Sequence, residues 1–143
     1  MTLNELTLDI SQEIEIRAPV GDAFRSLLRR LAEENTTPDG TPMSLVLEPW
    51  PGGRWFRDLG DKQGHLWGFV QVIKSPTLLE INGPLFMSYP AAGHLQFRLS
   101  TISGGTLLSL RHRVLGLIDE GHRRGVEAGW QHLLKIVKES AEK

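Results

Sequence analysis

Apolar residues recur along this chain at two different spacings, and each change of spacing marks a new element. Leu6, Leu8, Ile10, Ile14 and Ile16 alternate with mostly polar neighbours, interrupted only at Gln12, which predicts a half-buried strand. Ala18-Pro19 ends it, and Pro19 suits the first position of a helix. Phe24, Leu27, Leu28 and Leu31 form the apolar stripe of that helix, with Arg25, Arg29 and Arg30 outside it. The helix is expected to fail near Asn35, because residues 35–42 are polar and carry Pro38, Asp39-Gly40 and Pro42. Strands are then expected at 44–48, 54–59, 65–74, 78–82, 94–100 and 106–117. Pro51-Gly52-Gly53, residues 60–64, Ser75-Pro76 and Gly104-Gly105 supply turns between them. A longer connection over 83–93 carries Phe86, Met87 and Tyr89.

Helical spacing returns at the end of the chain. Val126, Trp130, Leu133, Leu134 and Val137 share one face of a helix predicted over 119–141. Asp119 can cap its start, Glu120 suits the positive end of its dipole, and Lys135, Lys138 and Lys143 suit the negative end. About 22 residues at 1.5 Å each make a rod of roughly 33 Å. Gly129 beside Trp130 leaves room for another backbone to approach. The order is strand, helix, a run of antiparallel strands, and one long helix, an α+β arrangement. Such a meander with one wet face must bury the other, and it must twist strongly to wrap a single rod. In the last two strands the inward phase carries Leu95, Phe97 and Leu99, then Leu108, Leu110, His112 and Val114.

Composition narrows the function classes. A chain of 143 residues should form one domain, and a net charge of −1 gives no global field for nucleic acid or an anionic membrane. The absence of cysteine removes disulfides, thiolate nucleophiles and cysteine metal sites. Asn4, Glu5, Asp9 and Glu13 break any signal-like apolar run, and no stretch has transmembrane length, so a cytoplasmic protein is expected. Without a secretion signal, Asn35-Thr36-Thr37 reads as loop rather than glycosylation site.

Four groups of residues carry a family resemblance. They are Ile14-Glu15-Ile16-Arg17-Ala18-Pro19 leading to Phe24; Glu48-Pro49-Trp50-Pro51-Gly52-Gly53-Arg54-Trp55; Trp67-Gly68-Phe69-Val70 with Ser75-Pro76 and Leu78; and Gly129-Trp130 with Leu133 and Leu134. In this order and spacing the chain resembles the START-like (SRPBCC) superfamily, in particular the branch named after the activator of the heat-shock chaperone ATPase. The resemblance implies a helix-grip fold: a curved antiparallel sheet of six to seven strands around the terminal helix, with a helix inserted after the first strand. It also implies a cavity for a sterol, lipid, polyketide or other apolar molecule. One departure from the family is that 35–42 lacks the second short helix of many members.

His112 points inward among aliphatics, where it either anchors a ligand or, more commonly for such a histidine, is satisfied within the core. His122 and His132 are ten residues apart, which is not the spacing of a helical zinc pair. No nucleophile elbow or phosphate loop is present, and Asp58 and Asp61 flank a turn. No cofactor and no metal are expected. The expected ligand lining comprises Trp55, Val70, Phe97, Leu110 and His112 from the strands and Val126 and Trp130 from the last helix. Met87 joins them from the long connection, with Tyr89 near the entrance. The leading expectation is a module that binds a small hydrophobic or amphipathic molecule. The alternatives are a cyclase- or hydrolase-type enzyme using His112 or Tyr89, or a chaperone-associated interaction module. Oligomeric state is left open, a homodimer included.

Overall fold

A computed structural model describes residues 2–143. Seven strands form one antiparallel sheet: β1 (Thr7–Ile16), β2 (Val46–Leu47), β3 (Arg54–Gly60), β4 (Gln63–Lys74), β5 (Leu78–Gly83), β6 (Ala91–Ile102) and β7 (Gly105–Gly116). Helix α1 (Val20–Arg30) follows β1, and α2 (Glu120–Ala141) ends the chain. The sheet order is β1-β7-β6-β5-β4-β3-β2, so the first strand closes onto the last and the meander runs outward from there. This is the expected helix-grip architecture.

Element ends depart from the sequence expectation where side chains compete for the backbone. Leu3–Leu6 forms a short 3-10 turn held by a Thr2–Glu5 capping box, so β1 starts one residue late. The strand expected over 44–48 shrinks to Val46–Leu47, because Met43 and Leu45 donate their amides to Asn35 and Ala32 at the end of α1. Pro19 caps α1 instead of opening it, and the helix ends at Arg30, with Leu31 as its C-cap. β6 begins earlier than expected, at Ala91, and pairs with β7 along its full length.

The concave face of the sheet holds α1 and most of α2. Phe24 and Leu27 of α1, Val137 of α2, and Phe97, Leu99 and Leu108 of the sheet are all buried. Several polar groups in this core are matched. Ser26 Oγ donates to Val137 O at 2.8 Å, Thr106 Oγ1 to Ala18 O at 2.8 Å, and Trp55 Nε1 to Leu31 O at 2.7 Å. Along its other flank α2 is tied to β1. Arg123 Nη1 donates to Thr7 O at 2.9 Å, Gln12 Nε2 to Glu127 O at 2.8 Å, and Lys138 Nζ to Glu15 O at 2.8 Å. The C-terminal half of α2 is therefore gripped from both sides, by β1 and by α1. The N-terminal half is tied to β1 and, through His122 and Trp130, to Tyr89 and His112, and a trough opens along its face.

Two local irregularities shape that open side. Trp55 pairs with Gly68 and Phe56 with Leu66, which leaves Trp67 as an extra residue in β4. A bulge of this kind bends the strand and re-aims its side chain, here burying the Trp67 indole. Gly83 (φ 155°) crosses β4 closely: a Cβ there would stand 2.3 Å from Trp67 O. No side chain fits at that crossing, so the sheet can fold sharply around α2.

Candidate functional site

A trough of about 440 Å³ lies between the N-terminal half of α2, the β3–β4 hairpin and the connection from β5 to β6. Its walls are the rings of Trp67, Phe86 and Trp130, together with Val126 and Met43. Arg57, His65, Ser88 and His122 supply the polar lining. Its floor along α2 is bare backbone, because Gly121, Gly125 and Gly129 recur every fourth residue on the same face. A Cβ built at Gly125 or Gly129 meets nothing within 4 Å. The sequence suggested another backbone approaching Gly129; instead the missing side chain helps to open the trough. A smaller recess of about 140 Å³ continues the space toward α1. It is walled by Trp55, Leu133, His132 and the loop residues Asn35, Thr36 and Pro38. Thr36 Oγ1 lies 3.0 Å from His132 Nε2, which fixes the loop against α2.

The connection after β5 presents alternate residues to opposite sides. Leu85 adopts a left-handed φ of 57° and its amide donates to Trp67 O at 2.7 Å. Leu85 and Met87 turn into the core, leaving Phe86 and Ser88 for the trough. Phe86 is the hub of an aromatic cluster. Its ring centroid lies 5.7 Å from Trp67, 6.0 Å from Trp130, 5.8 Å from His122 and 6.4 Å from His112. Most of these contacts are edge-to-face, which suits the ring quadrupoles.

Two hydrogen bonds hold this wall. Trp130 Nε1 donates to His112 Nδ1 at 3.0 Å. Since Nδ1 accepts, the neutral imidazole carries its proton on Nε2. Burial pushes the His112 pKa down to about 4, so the ring is neutral near pH 7. Its Nε2 is buried without a protein partner, and it sits where a Cβ on Gly93 would come within 3.4 Å. The second bond joins the Tyr89 hydroxyl and His122 Nδ1 at 2.8 Å. Desolvation raises the Tyr89 pKa, so the phenol keeps its proton.

The residues expected from sequence divide three ways. Val126 and Trp130 line the trough, and Trp55 lines the smaller recess. Tyr89 stands behind His122 rather than on the trough surface. Val70, Met87, Phe97, Leu110 and His112 are buried and line neither space. Aliphatic and aromatic side chains fill the space under the C-terminal half of α2, so the hollow lies beside its N-terminal half. Arg57 and Trp67 were not among the expected residues. Arg57 shares the inward phase of Trp55, two residues earlier, which is the signal that would have found it.

The sequence matches no family model and no curated protein. Solved structures do resemble it. A protein from Chromobacterium violaceum superposes with a TM-score of 0.75 at 18% identity, covering 94% of this chain and 97% of that one. The fold is START-like. The di-domain ARO/CYC StfQ from the steffimycin biosynthetic pathway matches with a TM-score of 0.68 at 15% identity, over 98% of this chain and 52% of its own. Ara h 8.0201 matches with a TM-score of 0.67 at 13% identity, over 94% and 97% of the two chains. No helix among the described residues is long and apolar enough to cross a membrane. Among those residues, no cluster of three or more His, Asp or Glu side chains is placed to hold a metal ion.

Proposed function

We propose that this protein binds one small hydrophobic or amphipathic molecule in the trough beside the N-terminal half of α2. The observation that carries this reading is the combination of three indole and phenyl walls with a side-chain-free helical floor. The volume of about 440 Å³ falls within the usual size of small-molecule sites. Apolar burial would supply most of the affinity, and the rim groups would orient the ligand. The likeness to an ARO/CYC protein is compatible with an aromatic ligand.

The test is a titration with N-phenylnaphthylamine, a neutral dye that brightens in apolar surroundings. Saturable binding at one site is expected. Gly125→Leu puts an isobutyl group on the trough floor and should weaken it at least about tenfold, roughly the effect of denying one to two methylene-sized contacts. Absence of dye binding, or equal binding by Gly125→Leu, would overturn the proposal.

A further inference from the structure

The trough has a charge preference, which deepens the ligand-binding reading above and rests on it. Its ionisable lining groups are Arg57, His65 and His122, and among the described residues no carboxylate lines it. Arg57 and His65 are direct partners across β3 and β4. β2 stops pairing with β3 at Phe56, so Arg57 lies on an unpaired stretch of edge and its side chain has room to move.

Arg57 differs from the other arginines near this edge. Arg54 is clamped by Glu48, with Nε to Oε1 at 2.9 Å and Nη2 to Oε2 at 3.0 Å. Among the described residues Arg57 makes no ion pair. The carboxylates around the trough are engaged elsewhere. Asp58 Oδ1 accepts from the Gly60 amide at 2.8 Å, and Asp119 Oδ1 accepts from Gly121 at 2.8 Å and His122 at 3.2 Å. Glu120 lies 3.7 Å from Arg124 and 4.0 Å from Arg123. Because Asp119 already takes those first amides of α2, the helix end offers little to an anion. The guanidinium does: its planar fork can meet two oxygens of one oxyanion.

We infer that the trough selects an anionic amphiphile, a flat apolar body carrying one carboxylate- or sulfonate-like group, with Arg57 as the anion anchor and His65 beside it. The apolar body lies against Trp67, Phe86 and Trp130, and the charged end stays at the wet rim, where a partly hydrated ion pair is inexpensive to form.

Two dyes that share an aromatic body separate this inference from the broader one. N-phenylnaphthylamine is neutral, and anilinonaphthalene sulfonate carries one anion. The sulfonate should bind about tenfold tighter, the scale of one charge-assisted contact at a half-exposed site. Arg57→Gln should remove most of that advantage, weakening the sulfonate far more than the neutral dye, while Arg57→Lys should keep part of it. Arg113→Gln, an equal loss of charge on the outer face of the sheet, should change neither dye. Equal affinities in the unaltered protein overturn the anion inference and leave the trough intact as a site. So does an advantage that survives Arg57→Gln, or an equal loss of affinity for both dyes in that variant. Failure of both dyes to bind the unaltered protein overturns the ligand-binding reading itself.

Discussion

Replacing Gly125 and Gly129 with alanine tests the most unusual feature of α2. Glycine inside a helix is about 1 kcal/mol less favourable than alanine, because it loses more backbone freedom on folding. That gain is often cancelled by a clash, but here a methyl at either position has open space, with nothing within 4 Å. The full propensity term should therefore appear, about 1 kcal/mol for each substitution and about 2 kcal/mol for the pair. For a chain of 143 residues this corresponds to a rise in Tm of roughly 6–8 °C for the double variant. Gly121→Ala is the contrast, since its Cβ would stand 3.0 Å from Asp119 Oδ1 and disturb the cap. Calorimetry with parallel urea unfolding at neutral pH measures both. A double variant that gains nothing, or melts lower, refutes the reasoning, because the helix floor would then be packed against something or not helical. A gain means that the natural sequence forgoes stability along the one helix face that borders the trough, as expected where a surface is kept open for a ligand.

Two other outcomes follow from buried polar groups. His112 has a folded pKa of about 4 against 6.5 in the unfolded chain. The unfolded state therefore binds more protons between those values; the stability His112 contributes is present above pH 6.5 and lost as pH falls toward 4. Between about pH 7.5 and about pH 5 the loss is about 2 kcal/mol, so urea unfolding of His112→Gln should be flatter over that interval by this amount. Identical pH slopes would show that the imidazole is not desolvated as described. Trp55→Phe leaves Leu31 O at the end of α1 without its 2.7 Å donor and opens space beside Trp67, whose ring centroid is 5.0 Å away. It should cost about 2–3 kcal/mol in urea unfolding, and a cost below about 0.5 kcal/mol would contradict that role.

The parts of the fold that were legible in the sequence are those set by period. Alternation in β1, β6 and β7 showed which residues face inward, His112 included, and the spacing of Val126, Trp130 and Val137 showed the buried side of α2. The hollow was harder to place, because periodicity says which side chains point inward and not whether they meet. Phe97 and Leu110 do meet, as direct cross-strand partners, and close the space between them. Trp67 was hidden by the bulge, which shifts the phase of β4 by one residue. Met87 was misplaced for a related reason: an irregular connection has no period, and the left-handed turn at Leu85 sends Met87 into the core and Phe86 out of it. The glycines at 121, 125 and 129 are plain in the sequence, but their meaning lies in the set rather than in any one of them. Their fourfold spacing places all three on one face, and two of them lie in the helix interior, where glycine is costly.

The distribution of hydrogen bonds around the trough also bears on binding against catalysis. Acid–base chemistry needs at least two free polar groups converging on one point. His112, the strongest candidate from sequence phase, is fully buried, neutral near pH 7 and bound at Nδ1 by Trp130. Its role is to hold the Trp130 indole edge-on, at a centroid distance of 5.3 Å and an interplanar angle of 86°. Tyr89 likewise uses its hydroxyl on His122. Both interactions orient rings of the aromatic cluster, which would lower the ordering cost of the proposed binding. The rim also carries the Arg57 guanidinium, which cannot exchange protons near neutral pH but can hold an oxyanion, beside His65 and Ser88. The Trp130–His112 and Tyr89–His122 pairs, with the Arg57 guanidinium on the lining, support the proposed reading that the trough retains a molecule.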